Sequence, residues 1–348
     1  MPLPRALAYI GASTVIALTQ GLGQGFISTN IPQIAGDLGA TTTQASWLMA
    51  AYLIPRAADL DWRWLEGVGS LGISAGASAP ELLVRELVDK LAERFDTVIW
   101  VPGNHELWTT QRDPMQIFGK ARYDYLVNMC DEMGVVTPEH PFPVWNEQGG
   151  PATIVPMFLL YDYSFLPAGT ATKAEGLALA KERNVVGTDE FLLSSEPYAT
   201  RDAWCRDRLN ITRKKLDDLD WMESTVLVNH FPLVREPCDA MFYPEFSLWC
   251  GTTATKDWHT RYNAICSVYG HLHIPRTTYY DGVRFEEVSV GYPREWRRRK
   301  PYRWMRQILP DPQYPPGYLN DFGGHFEITQ EMREHAQKMQ DRINSRRL

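Results

Sequence analysis

The sequence predicts a layered α/β fold in which helices cover sheets. Short apolar runs, TVIWV, TVLVN and CSVY, alternate with longer stretches whose apolar residues recur at helical spacing. Each of those three runs stops at a loop that carries asparagine, histidine or both, and strand ends are where open α/β sheets gather their sites.

The elements follow in order. Residues 81–94 place Leu82, Leu83, Leu87, Val88 and Leu91 on one helical face with charges on the other. Residues 97–101 form a buried strand ended by Pro102-Gly103, and residues 123–133 a helix. Residues 152–161 are strand-like, with Pro156 marking an edge or a bulge. An amphipathic helix spans 203–219, buried strands span 225–229 and 266–269, and 283–290 alternates as a strand. Residues 307–324 read as proline- and glycine-rich coil, and 329–346 as a charged terminal helix.

Composition narrows the function classes. The 348 residues are 44% hydrophobic, which excludes a disordered chain, and the formal charge of −7 is spread along most of the length, which excludes a polytopic membrane protein. Five cysteines without C-x-x-C spacing (Cys130, Cys205, Cys238, Cys250 and Cys266) exclude a disulfide scaffold and read as buried thiols in a reducing cytoplasm.

The averages conceal a seam. Residues 6–36 and 38–55 hold no charge, with Asp37 between them, whereas charge recurs every few residues from position 57 onward. The expected organisation is an apolar segment 1–57, a Gly/Ser/Ala-rich bridge 58–80 and a main domain 81–348. Residues 7–26 are long enough to cross a membrane but are diluted by Gln20 and Gln24, and no small-residue cleavage site follows a compact apolar core. The stretch GFISTNIPQIAGDLGATTTQASWLMAAYLIPRA resembles the start of a major-facilitator drug exporter. One and a half such helices cannot transport anything, so the segment implies at most membrane attachment through residues 6–55 of a cytoplasmic protein. A buried helical hairpin is the other reading.

Three loops carry the chemistry. Gly103-Asn104-His105-Glu106 follows the first buried strand, Asn229-His230 the second and Gly270-His271-Leu272-His273 the third. Imidazoles and an amide oxygen suit Mn, Fe or Zn. Each motif alone is weak, since a single histidine is more often a hydrogen-bonded core residue; in this order, each after a strand, they become specific.

G-N-H-E, N-H and G-H-x-H together resemble the C-terminal signature of calcineurin-like metallophosphoesterases. That resemblance implies a four-layer αββα sandwich, two divalent metal ions and hydrolysis of phosphate esters. Carried over, it makes Asn104, His230 and His271 ligands of the second metal, His273 a ligand of the first, His105 the general acid, and Glu106 an orienting neighbour. Longer stretches, among them VLVNHFPLVREPCDAMFYPEFSLWCGTT and LPDPQYPPGYLNDFGGHF, resemble the actinobacterial phosphopantetheinyl-hydrolase branch, which removes 4′-phosphopantetheine from holo acyl carrier protein. A nuclease, a cyclic-nucleotide phosphodiesterase and an inactive carrier-protein binder are the alternatives.

The chain departs from that family at its start. The Asp-x-His and Gly-Asp motifs that hold and bridge the first metal are missing. Gly36-Asp37 lies in the exporter-like segment, and Asp59-Leu60-Asp61 sits in loop-like sequence. The expectation is a metal pair held weakly or not at all, low activity, and a sheet short of inner strands. Residues 294–306 carry seven basic residues against Glu295 alone, with Trp296, Tyr302 and Trp304 interleaved. Such a run fits an acidic carrier protein, nucleic acid or a solvated face.

Overall fold

The computed structural model describes residues 70–74 (as backbone), 91, 95–110, 113, 115–220, 222–289 and 306–312, all within the unit Arg63–Leu348. The exporter-like segment, Asp59 and Asp61, the helix expected at 81–94 apart from Leu91, the basic run apart from Arg306 and the terminal helix lie outside the described residues.

The elements in chain order are β1 (Ser70–Ser74), β2 (Thr97–Val101), α1 (Asn104–Leu107), α2 (Gly119–Glu132), β3 (Val144–Trp145), β4 (Ala152–Pro156), α3 (Lys173–Glu182), α4 (Asp189–Leu192), α5 (Arg201–Asp217), β5 (Thr225–Val228), α6 (Trp258–Arg261), β6 (Ala264–Tyr269), β7 (Arg276–Tyr280) and β8 (Val283–Glu287). Among the described residues they form a mixed α/β structure with two sheets. One pairs β1 with β2; the other has six strands in the order β3-β4-β5-β6-β8-β7. Strands β4, β5, β6 and β8 run parallel, so the loops after β5 and β6 leave the same edge side by side. Apolar runs suit these strands because a sheet covered on both faces has no solvent side.

The Gly/Ser/Ala-rich bridge 58–80 contains a strand. Ser70–Ser74 pairs in parallel with all five residues of β2, Ser70 opposite Thr97 and Ser74 opposite Val101. Pairing uses only backbone groups, so SLGIS can take a strand position despite its small residues. The expected loss of inner strands is thus partly made good beside β2. The strand expected at 152–161 stops at Pro156; residues 157–161 continue as buried coil. β3 pairs only with Ala152 and Thr153, so Pro156 has a strand partner only on the β5 side. β7 was not legible from apolar periodicity. Its signal is the two-residue turn Asp281-Gly282, with φ of 51° and 80°, which folds β7 onto β8.

The helices are placed by their buried faces. In α2 the buried Tyr123, Leu126, Met129 and Cys130 share one face, and Gly119 lets the helix start against the Glu196 backbone. A Cβ there would lie 2.3 Å from the Glu196 oxygen, at a φ of +55° that disfavours any other residue. Helix α5 is capped by Thr200, whose hydroxyl accepts the Ala203 N–H at 3.1 Å. Its inner face carries Trp204, Leu209 and Leu216, and also the charged Arg208. Arg208 donates to Glu139 at 2.6 Å and to the Phe158 carbonyl at 3.2 Å, and lies 5.1 Å from the centroids of the Tyr123 and Phe158 rings. All five cysteines are buried and unbonded, as their spacing predicts. No helix among the described residues is long and apolar enough to cross a membrane.

Burial pushes the Glu139 carboxyl up, but the Arg208 charge, hydrogen bonds from Tyr123 and Arg208, and Lys215 outweigh it and hold the group below its ordinary value. A depressed carboxyl stabilises the folded state above its unfolded pKa, and that stability drains away as pH falls through the folded value. Glu139→Gln leaves Arg208 without its counter-charge, so urea unfolding at neutral pH should show a loss of about 1–3 kcal/mol. The loss should shrink as the reference chain itself is acidified below pH ~4.

Candidate active site

Strand β2 ends at Val101 and hands the chain to Gly103 and α1. Glu106 reaches back to accept the Gly103 N–H at 3.1 Å, so it fixes the turn that presents Asn104 and His105. On the other sheet β5 ends in Asn229, whose amide accepts the Leu159 N–H at 3.0 Å and donates to the Phe231 carbonyl at 2.8 Å. Asn229 is therefore consumed in tying loops together, and His230 alone turns into the cluster. The Gly270 N–H donates to the His230 carbonyl at 2.9 Å and locks the two neighbouring loops. His271 and His273 both adopt left-handed backbone, with φ of 70° and 58°. Side-chain-bearing residues rarely do so; two such residues around the buried Leu272 fold the loop back on itself.

The result is a convergence of residues 126 positions apart in sequence. His230 Nε2 lies 3.0 Å from Asn104 Oδ1 and 3.1 Å from His271 Nδ1. Phe231 packs against both imidazoles, with centroids 4.8 Å from His230 and 4.6 Å from His271, and Phe246 lies parallel to His271 at 5.8 Å. His105 stacks on Trp108 at 3.8 Å.

These imidazoles share one electrostatic environment. Burial, then the neighbouring His273, lowers His105 from 6.5 to about 4. Burial, then His273 and His105, lowers His271 to about 3. His230 is pushed well below its ordinary value by burial and by the other three. At neutral pH His105, His230 and His271 are therefore neutral and keep a lone pair to donate.

Two buried carboxyls stand behind the cluster, and the loop motifs gave no sign of either. Asp189, at the start of α4, accepts the Asn104 amide N–H at 2.8 Å and the Trp108 indole N–H at 2.5 Å through the same oxygen. Burial raises its pKa, opposed by those hydrogen bonds. Glu287 closes β8 opposite Tyr269 and is wholly buried. Burial raises it too, opposed chiefly by the Ser289 hydrogen bond and the His273 charge. Glu287 had a faint signal, a pair of acids ending an apolar strand; Asp189 had none, because its partner lies 85 residues away.

The calcineurin-like phosphoesterase family model matches residues 68–275. The chain is a calcineurin-like phosphoesterase. This phosphoesterase is 79% identical over 263 residues to the [acyl-carrier-protein] phosphodiesterase PptH of Mycobacterium tuberculosis, which covers 76% of this chain and 81% of that one. The crystal structure of phosphopantetheinyl hydrolase from the same organism superposes with a TM-score of 0.70 at 77% identity, over 71% of this chain and 88% of that one. A second family model, LytB protein, matches residues 40–92. A 4-hydroxy-3-methylbut-2-enyl diphosphate reductase of Bradyrhizobium diazoefficiens is 62% identical over 45 residues, 13% of this chain and 14% of that one. The LytB match covers β1, so the strand beside β2 falls within the range of both family models.

The family implies divalent metals, and the donors can be tested against one. Cis donors around a metal with ~2.1 Å bonds stand roughly 3 Å apart, which is the spacing of His230 Nε2 from Asn104 Oδ1 and from His271 Nδ1. These three atoms fit one cation. A second position is a different matter. Residues 75–80, directly after β1, read AGASAP and contain neither carboxylate nor imidazole. No group of three His, Cys, Asp or Glu residues placed to hold a metal occurs among the described residues.

The lowered rings make a direct prediction for the metal-free phosphoesterase. The ring protons of His105 and His271 should show no NMR titration from about pH 8 to about pH 5, where an ordinary histidine titrates. A midpoint near 6.5 for either would contradict the burial described.

Proposed function

We propose that this chain is a metal-dependent phosphodiester hydrolase that releases 4′-phosphopantetheine from holo acyl carrier protein. The observation that carries it is the approach of Asn104 Oδ1 and His271 Nδ1 to His230 Nε2, at 3.0 and 3.1 Å, at strand ends in a chain 79% identical to an acyl-carrier-protein phosphodiesterase. Asn104, His230 and His271 hold a divalent cation, drawn from Mn, Fe and Zn by donor type. When bound, the cation polarises a phosphoryl oxygen and stabilises the charge that develops on it. His105, flat against Trp108, presents an imidazole N–H to the leaving oxygen of the carrier serine, and its stacked ring keeps that direction. His273, folded back by its left-handed backbone, offers a further imidazole with the buried Glu287 behind it. The buried unbonded cysteines support work in a reducing compartment such as the cytoplasm.

A second reading, a carrier-protein binder that turns over slowly or not at all, is favoured by one observation: the carboxylate-free sequence after β1. Three neutral donors compensate a dication poorly in a buried site. Metal content and turnover separate the two. The full chain, loaded with Mn2+ and dialysed, should retain one ion per chain rather than two. It should release the phosphopantetheine arm from holo carrier protein, followed by intact-mass spectrometry. His230→Ala removes the donor that Asn104 and His271 both approach and should abolish both retention and release; full retention of Mn2+ by that variant would refute the assignment. A chain that retains one ion yet leaves holo carrier protein intact is the binder.

A further inference from the structure

A carboxamide has two ends and only one can hold a cation. Asn104 must turn Oδ1 to the histidines and Nδ2 away. Within the Gly-Asn-His-Glu turn, Glu106 accepts the Gly103 N–H. The enforcing contact comes from a remote segment. Asp189 Oδ1 lies 2.8 Å from Asn104 Nδ2, and a carboxylate can only accept. With the amide reversed, two oxygens would face each other in a buried site and Nδ2 would face His230 Nε2, so the reversed state is excluded.

Asp189 is held firmly enough to do this. It is buried at 2% exposure. Its own carbonyl accepts from Arg201 at 3.2 Å, and Arg201 also donates to the Leu193 carbonyl at 2.9 Å. Next in sequence, Glu190 accepts from Tyr163 and Trp249, each at 2.8 Å, and pairs with Arg201. Helix α4 is therefore clamped on the body of the protein at the residue beside Asp189. The same Asp189 oxygen accepts the Trp108 indole N–H, and Trp108 carries the stacked ring of His105.

We propose that Asp189 is the positioning residue of the site: it fixes Asn104 as an oxygen donor, places Trp108 under His105, and supplies one side chain behind the metal the negative charge that the three neutral donors lack. This rests on the metal reading above and adds to it a residue that lies outside all three motifs. Outer partners of this kind tune metal affinity by about 10–100-fold.

The test uses the full chain, stripped of metal and titrated with Co2+, followed by calorimetry and by the visible absorption of the bound ion. Asp189→Asn keeps the shape of the side chain but gives Asn104 a partner that can donate or accept. Its Co2+ affinity should fall about 10–100-fold, and the bound ion should show an altered absorption band, with the melting temperature of the metal-free chain unchanged or higher. A purely structural role would lower the melting temperature and spare the spectrum. The exchanged pair Asn104→Asp with Asp189→Asn puts the carboxylate in the donor position and an amide donor behind it, and should recover most of the lost affinity. Equal Co2+ binding by wild type and Asp189→Asn overturns the positioning role alone. No binding by wild type overturns the metal reading and this inference with it. Should Asp189→Asn fail to fold, the exchanged pair decides: bound Co2+ upholds the inference and none overturns it.

Discussion

The parallel pairing of β5 with β6, Val228 opposite Val268, is the constraint on which the rest of the site depends. It brings the Asn229-His230 loop alongside Gly270-His271, and the Gly270 N–H closes on the His230 carbonyl within two residues of the strand ends. Strand backbone is stiff and its register is fixed by buried side chains, so these histidines inherit the precision of the sheet rather than the freedom of a loop. Asn104 arrives from the other sheet, at the end of β2. A shift of either sheet would move that oxygen out of reach of His230, and the donors converge only while both sheets hold their places.

Charge is the second constraint. Four imidazoles share the buried cluster, and those lowered by burial and by one another are neutral at pH 7. Neutral rings make good donors but leave a dication uncompensated. The negative charge lies one side chain further out, on Asp189 behind Asn104 and on Glu287 near His273. Burial works against ionisation of both carboxyls. A cation arriving in front of them would favour the charged form again, so the metal and these two acids stabilise one another.

The strands that carry the three motifs were legible because buried parallel strands are short apolar runs, and their motifs sit where such strands end. The helices at 119–132 and 201–217 were legible through their apolar faces. β1 was hidden because SLGIS has neither bulk nor a clear alternation; its place is set by pairing with β2, which periodicity cannot reveal. β7 was hidden because RTTYY packs only partly buried at an edge and announces itself through its turn instead. At the site, donors that belong to motifs were visible, whereas Asp189 and Trp108 were not. Their roles lie in a contact spanning 81 and 85 residues, and nothing local to either distinguishes it from an ordinary surface acid or core aromatic.

β1 separates what a fold requires from what a site requires. Backbone pairing accepts almost any sequence able to extend, so a segment within the LytB match can lie along the full length of β2. The side chains that follow are another matter. AGASAP offers no oxygen anion or imidazole to a metal, whatever its backbone does. A strand position filled in this way preserves the sheet and removes the anion that a two-metal centre would draw from that edge. The burden of charge then falls on the carboxyls already buried behind the remaining donors. Asp189 bears part of it at first hand, through its hydrogen bond to the donor Asn104.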